Sequence, residues 1–215
     1  MKSEKTLTAE ALENIFGERP AGAEGEFKYF SVLVPVVKRT DGLYLLYEVR
    51  AKHMSTQPGE ICFPGGEMEA GETAMECALR ETYEEIGISG NKINVINQLD
   101  TIFTYSNFLM YCFLGIIEED AMEDISLNPD EVGETFLVSL DELVGMQPEV
   151  YRTTIVPEIP EDFPYDKVTG GKSYNWRKGS STVPVYDTGD RIIWGLTARI
   201  TRRFTDIIRG EICSE

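Results

Sequence analysis

The chain has 215 residues, 42% of them apolar and 27% charged, which is enough for one sizeable core and ordinary for a soluble globular protein. Its formal net charge of −17 argues against a nucleic-acid surface, which should be basic. No apolar run approaches the ~18 residues of a membrane span, and the polar N-terminus lacks the apolar core of a signal segment. Cys62, Cys77, Cys112 and Cys213 form no C-x-x-C pair and suggest no disulfide framework. A reducing cytoplasm is therefore expected, with Cys77 and Cys112 as buried thiols. His53 is the single histidine, so no His-based triad or cluster can be built.

In chain order, Thr8 to Phe16 reads as a short helix capped by Thr8, and Gly17 to Gly25 as a connector. Phe27 to Val37 and Leu43 to Val49 read as strands joined at the turn signal Thr40-Asp41-Gly42. Pro58-Gly59 fits a type II turn, Glu60 to Phe63 a short strand, and Pro64-Gly65-Gly66 a second tight bend. Glycines at that junction allow close approach of backbone to a phosphate or a metal.

Glu72 to Ile86 lacks Pro and Gly and has a helical period. Met75, Ala78, Leu79, Thr82 and Ile86 form its apolar face, Gly71 its N-cap and Gly87 its left-handed stop. Glu81, Glu84 and Glu85 stand at i, i+3 and i+4, so their carboxylates are expected to gather away from that face. Like charges at this spacing cost roughly 0.2–0.5 kcal/mol per pair unless a cation sits among them. Oxygen donors of this kind suit Mg²⁺ or Mn²⁺. The plainer alternative is a solvated acidic face with Arg80 paired to Glu84 or Glu76.

Beyond this helix, Ile93 to Ile96, Asp100 to Thr104, Phe108 to Ile117 and Glu134 to Ser139 are strand-like, the third apolar enough to be central. Leu140 to Gly145 is a short helix. Gln147 to Asp190 is punctuated by Pro148, Pro157, Pro160, Pro164 and Pro184 and reads as short strands and loops on the core, within a single domain spanning 1–215. Its aromatic residues, Tyr151, Phe163, Tyr165, Tyr174, Trp176 and Tyr186, suit packing of that appendage, with an adenine or pantetheine pocket as the alternative. From Arg191 to Gly210, the residues Leu196, Ile200, Phe204, Ile207 and Ile208 make a helical apolar stripe.

The run from Gly66 to Ile88 contains G-x5-E-x7-R-E-U-x-E-E-x-G-U, with U a bulky apolar residue. Gly66, Glu72, Arg80, Glu81, Glu84, Glu85, Gly87 and Ile88 match it, and Thr82 departs at the first U. This resembles the box of the Nudix hydrolases. The resemblance implies an α/β (α+β) fold, a mixed, curved sheet sandwiched between helices, and hydrolysis of a diphosphate. It further implies Glu81, Glu84 and Glu85 as metal carboxylates, the Gly65 carbonyl as another ligand, and Mg²⁺ or Mn²⁺ as cofactor. Glu72 and Arg80 are then structural, Gly66 faces substrate, and Glu84, Glu85 and Glu131 serve catalysis. Glu131, in N-P-D-E-V, stands where such enzymes often carry an extra carboxylate; the alternative is that it only begins a strand.

The preceding stretch, with Leu46, Arg50, Gly59, Ile61, Phe63, Pro64, Gly65 and Gly66, is similar to that of coenzyme A pyrophosphatases. Ala51, Ser55, Gln57 and Glu60 depart from the pattern. Trp194 to Ala198 resembles the C-terminal segment of the same subfamily. This implies coenzyme A or an acyl-CoA as substrate, with Arg50 on a substrate phosphate. The alternatives are another nucleoside diphosphate derivative such as ADP-ribose, or a nucleotide-sensing domain without catalysis. Neither a nucleic-acid nor a membrane partner is expected.

Overall fold

The structure, a computed structural model, describes residues 7–210; Cys213 lies outside them. Helix α1 (Ala9–Phe16) has Thr8 as N-cap, as expected, but buries none of its residues. The main sheet follows. Strands β1 (Lys28–Arg39) and β2 (Gly42–Arg50) form a hairpin, and β3 (Ile61–Cys62) and β4 (Gly65–Glu67) flank the second glycine bend. Helix α2 (Ala74–Ile86) leads to β5 (Ile93–Gln98), β6 (Ile102–Phe103), β7 (Phe108–Glu118), β8 (Val132–Ser139) and α3 (Leu140–Gly145). The path of the sheet is β3-β2-β1-β7-β5, with β4 on β1, β6 on β7 and β8 on β2. Strands β1 and β7 are parallel, and the other pairs are antiparallel, so the sheet is mixed.

Every residue from Val32 to Val37 is buried, because both faces of β1 are covered. Side chains alternate between two cores. Leu33, Val37 and Leu46 pack with Ala78 and Ile86 of α2. Val32, Val34, Val36, Leu45 and Tyr47 face the opposite way, toward α3 and the C-terminal helix α4 (Gly195–Ile208). Pro35 interrupts the strand without leaving a donor orphaned. On one edge β1 pairs with β4 through Phe30–Val32 and with β2 from Val36 onward, and Pro35, which has no N–H, falls between the two partners.

The proline-punctuated stretch holds more regular structure than its composition suggests. Strands β9 (Glu149–Ile155) and β10 (Gly179–Asp187) pair antiparallel, and β11 (Ile192–Trp194) adds a third strand. The expected C-terminal helix therefore begins at Gly195, not near Arg191, and packs against β10. Phe163, Tyr165, Tyr174 and Trp176 pack edge to face with one another. Among the described residues no helix is long and apolar enough to cross a membrane.

Two assignments in α2 are corrected. The helix starts at Ala74, with Thr73 rather than Gly71 as N-cap, because Thr73 and Glu76 complete a reciprocal capping box. Glu72 thus precedes the helix. Met75, expected on the apolar face, is 43% exposed, since the helix lies on the sheet through its later turns. This contrast is measurable. Leu33→Ala, at a position with no exposure, should cost roughly 2–5 kcal/mol. Met75→Ala should stay within about 0.5 kcal/mol. Urea unfolding of both variants checks the pair.

Candidate active site

Glycines 65 and 66 enter β4 against the N-terminal half of β1, and this places the box helix beneath them. A Cβ on Gly65 would lie 2.3 Å from the Ser31 carbonyl oxygen, so only glycine lets β4 approach β1 this closely. A Cβ on Gly66 would lie 2.3 Å from a carboxylate oxygen of Glu81, so that carboxylate occupies the space a side chain would fill. The N–H of Gly65 donates to Glu85 Oε2 at 2.8 Å. It is the amide of Gly65 that the structure ties to a box carboxylate.

Arg80 organises the remaining carboxylates. Its Nε and Nη2 donate to the two oxygens of Glu72 at 3.0 and 2.9 Å, and Nη1 donates to Glu81 at 2.8 Å and Glu84 at 2.9 Å. This guanidinium holds Glu72 well below the usual carboxylate range, at about 2. Glu72 also accepts from the Glu69 N–H, closing the loop that enters the helix. Thr82 fits its apolar position despite its hydroxyl, which donates to the Ala78 carbonyl one turn back at 2.7 Å and so is satisfied while fully buried.

The three box glutamates do not share one exposed face, as their spacing suggested. Glu84 is exposed, Glu81 half-buried and Glu85 only 4% exposed. Beside Glu85 lies Glu48, 1% exposed, which the sequence reading did not single out. Glu48 Oε2 is buried without a hydrogen-bond partner, and Oε1 accepts from the Cys62 thiol at 3.7 Å. Burial, followed by mutual repulsion, pushes Glu85 upward, and burial does the same to Glu48. Glu48 was legible as the one carboxylate in the otherwise apolar run Leu45-Leu46-Tyr47-Glu48-Val49.

Glu81 and Glu85 border a cleft of about 550 Å³, and Glu48 lies behind Glu85. Gly65, Gly66, Glu81, Glu85 and Glu131 line its polar end, and Arg50 adds a cation. Arg50 donates to the Thr56 carbonyl at 3.3 Å and is ion-paired with no carboxylate among the described residues. Its loop is closed by the type II turn at Pro58-Gly59: Gly59 has φ +75°, and Glu60 N–H reaches the Gln57 carbonyl. Glu131 immediately precedes β8, and its carboxylate accepts from Asn128 Nδ2 at 3.3 Å. Trp194, Leu196 and Thr197 form the facing wall, docked by the Thr197 hydroxyl on the Ile61 carbonyl at 2.9 Å. Glu84 stays off the cleft wall, on Arg80. Of the clustered aromatics, none lines this cleft.

An all-oxygen donor set with a buried, unpartnered carboxylate oxygen fits a hard divalent cation chemically. Among the described residues, however, no three acidic, cysteine or histidine side chains already converge as a cage. Arg80 meanwhile ties the three outer carboxylates together but offsets only one of their charges, and the inner pair is left to protons or a cation.

The buried pair sets a pH dependence. In the unfolded chain both glutamates ionise near 4.5, whereas the folded protein retains their protons to higher pH. The folded state then binds more protons, so stability falls as pH rises above about 4.5. Glu72 has the opposite sign, but its contribution is fully present above 4.5 and is lost only on acidification toward 2. Metal-free protein should show a Tm that declines from pH 5 to pH 8, and Glu48→Gln should flatten that decline. Thermal melts in chelator across this range are the check.

The NUDIX domain family matches residues 29–156. The chain is 37% identical over 116 residues to Nudix hydrolase 3 of Caenorhabditis elegans, covering 53% of this chain and 48% of the relative. It is 34% identical over 135 residues to the peroxisomal coenzyme A diphosphatase of Mus musculus, covering 62% and 56%. To the mitochondrial coenzyme A diphosphatase of the same species it is 29% identical over 185 residues, covering 85% and 76%. The chain thus spans about half the length of the first two relatives. With Glu81, Glu85 and the glycine pair in one cleft, Arg80 and Glu84 behind it, and a family match over more than half its length, the chain belongs to the Nudix family of hydrolases.

Proposed function

We propose that this pyrophosphohydrolase cleaves the diphosphate of coenzyme A or an acyl-CoA, giving 3′,5′-ADP and (acyl-)4′-phosphopantetheine, with Mg²⁺ or Mn²⁺ as its cation. The observation that carries the proposal is that three separate stretches line one cleft. The box contributes Glu81 and Glu85, the upstream loop contributes Arg50 to Gly66, and the run beginning at Trp194 contributes the opposite wall. The latter two are the stretches similar to coenzyme A pyrophosphatases, and two relatives carry coenzyme A diphosphatase names.

In this reading Arg50 holds a substrate phosphate, a role its lack of a carboxylate partner leaves open to it. The narrow backbone at Gly66 admits the diphosphate beside Glu81. Glu131, which accepts from Asn128 at the cleft wall, and Glu84 and Glu85 of the box would orient or deprotonate the attacking water. A divalent cation held by Glu81, Glu84 and Glu85 would polarise the diphosphate oxygens and acidify that water. Glu72 and Arg80 are positioning residues. A protein of net charge −17 cannot attract a diphosphate by its overall field, so local cations must do so. The free thiols Cys62, Cys77 and Cys112 suit a reducing compartment, and we place the protein in the cytoplasm on that basis.

Two outcomes follow. Chelation should abolish hydrolysis and Mg²⁺ or Mn²⁺ should restore it, while Glu84→Gln should lower kcat by roughly two orders of magnitude or more with an unchanged circular dichroism spectrum; full turnover in excess chelator would sink the metal reading. Coenzyme A should be cleaved with a higher kcat/KM than ADP-ribose, and than dephospho-coenzyme A by about one to two decades, a margin that Arg50→Ala should largely erase. Product analysis over this substrate panel decides it, and a preference for ADP-ribose would overturn the assignment.

A further inference from the structure

A second cleft, of about 370 Å³, lies between the β9–β10 sheet and the β6–β7 hairpin. Arg152 of β9 and Arg199 of α4 both line it, together with Thr104, Tyr105, Ser180 and Thr182. Register places Arg152 directly across from Thr182, and α4, which carries Arg199, packs on β10. Three elements distant in sequence therefore bring two guanidinium groups to one concavity.

These cations are unneutralised. Arg39, Arg80, Arg191, Arg202, Arg203 and Arg209 each have a carboxylate partner. Arg152 and Arg199 have no side-chain hydrogen bond or ion pair among the described residues. In a chain with 37 acidic and 20 basic residues, two such arginines in one cleft stand against the prevailing field. The hydroxyls of Tyr105, Ser180 and Thr182 are likewise uncommitted within the protein and can donate. Two planar, permanently charged forks with several hydroxyl donors match a tetrahedral dianion better than a single carboxylate.

We propose that this cleft binds a phosphomonoester group. It adjoins the catalytic cleft across one hairpin: Thr104 lines the second cleft, and its N–H and hydroxyl donate to the carbonyl of Phe108, which lines the first. The phosphate can thus belong to a separate molecule or to the far end of a substrate held in the first cleft. The binding itself does not depend on which substrate is hydrolysed.

Calorimetric titration of inorganic phosphate into the metal-free full chain tests this. The parent protein should bind saturably, and Arg50→Gln, which removes the cation of the first cleft, should retain the second-cleft binding. The Arg152→Gln/Arg199→Gln double variant should bind about tenfold more weakly or worse. Thermal melts of each variant establish that it is folded. Equal binding by the double variant, loss of binding in Arg50→Gln, or no saturable binding by the parent would each overturn the proposal. Given the expected pattern, kinetics identify the source of the phosphate. A raised KM for coenzyme A but not for dephospho-coenzyme A in the double variant assigns it to the substrate's own 3′-phosphate, in place of Arg50. Unchanged KM for both assigns it to a separate ligand.

Discussion

The site depends on one guanidinium. Glu72, Glu81 and Glu84 would repel one another and splay the entry loop from the helix if left alone. Arg80 bonds to all three, with both oxygens of Glu72 in a bidentate pair. The bonds to the largely covered Glu72 and Glu81 contribute about 1.5–3 kcal/mol each and the half-exposed pair with Glu84 about 0.3–0.5, against a few tenths lost to like-charge repulsion along the helix. The attraction wins, and it fixes geometry as well as energy. Glu72 lies outside the helix and Arg80 within it, so their pair clamps the glycine-bearing loop over the helix face. Glu81 can then occupy the space beside Gly66.

The inner carboxylates follow the opposite logic. Glu48 on a central strand and Glu85 on the helix meet where water is excluded, and the nearest fixed donors are a backbone amide at Gly65 and the Cys62 thiol. A buried carboxylate without a cation is costly, which is why both are pushed toward the neutral form. The carboxylates around the cleft are thus graded: the outer ones are held by an arginine, and the inner pair behind Gly65 is left without a cation. Such a pair is suited to taking up positive charge on demand, and rigid sheet and helix rather than mobile loop hold it in place.

Much of this was legible in the sequence where local chemistry is decisive. Gly87 stops α2 with φ +79°, Pro58-Gly59 makes its turn, and Leu140 to Gly145 is a helix with the expected bounds. The pairing of Arg80 with Glu84, one turn on, was also within reach of spacing. What escaped depends on tertiary context. The helix start moved because the capping box of Thr73 and Glu76 competes better than Gly71, while Glu72 is drawn to Arg80. Glu85 sits at a helical spacing that looks solvent-facing, but the sheet edge at Gly65 covers it. Glu48 looked like one more strand residue until α2 was laid against it. Arg152 and Arg199 are 47 positions apart in different element types, so no local pattern could announce their meeting.

The parallel pairing of β1 with β7 also shapes how the chain comes off the ribosome. Lys28 pairs with Phe108 and Lys38 with Glu118, a constant separation of 80 residues across the pairing. At about 5–20 residues per second, β7 emerges roughly 4–16 s after β1. Through that interval a strand with seven consecutive buried residues, Ser31 to Val37, has its hairpin partner, β4 and α2 to cover it, while the face turned toward α3 and α4 stays open. Nascent β1 is therefore the segment most in need of shelter during synthesis, and completion of β7 is the event that commits the sheet.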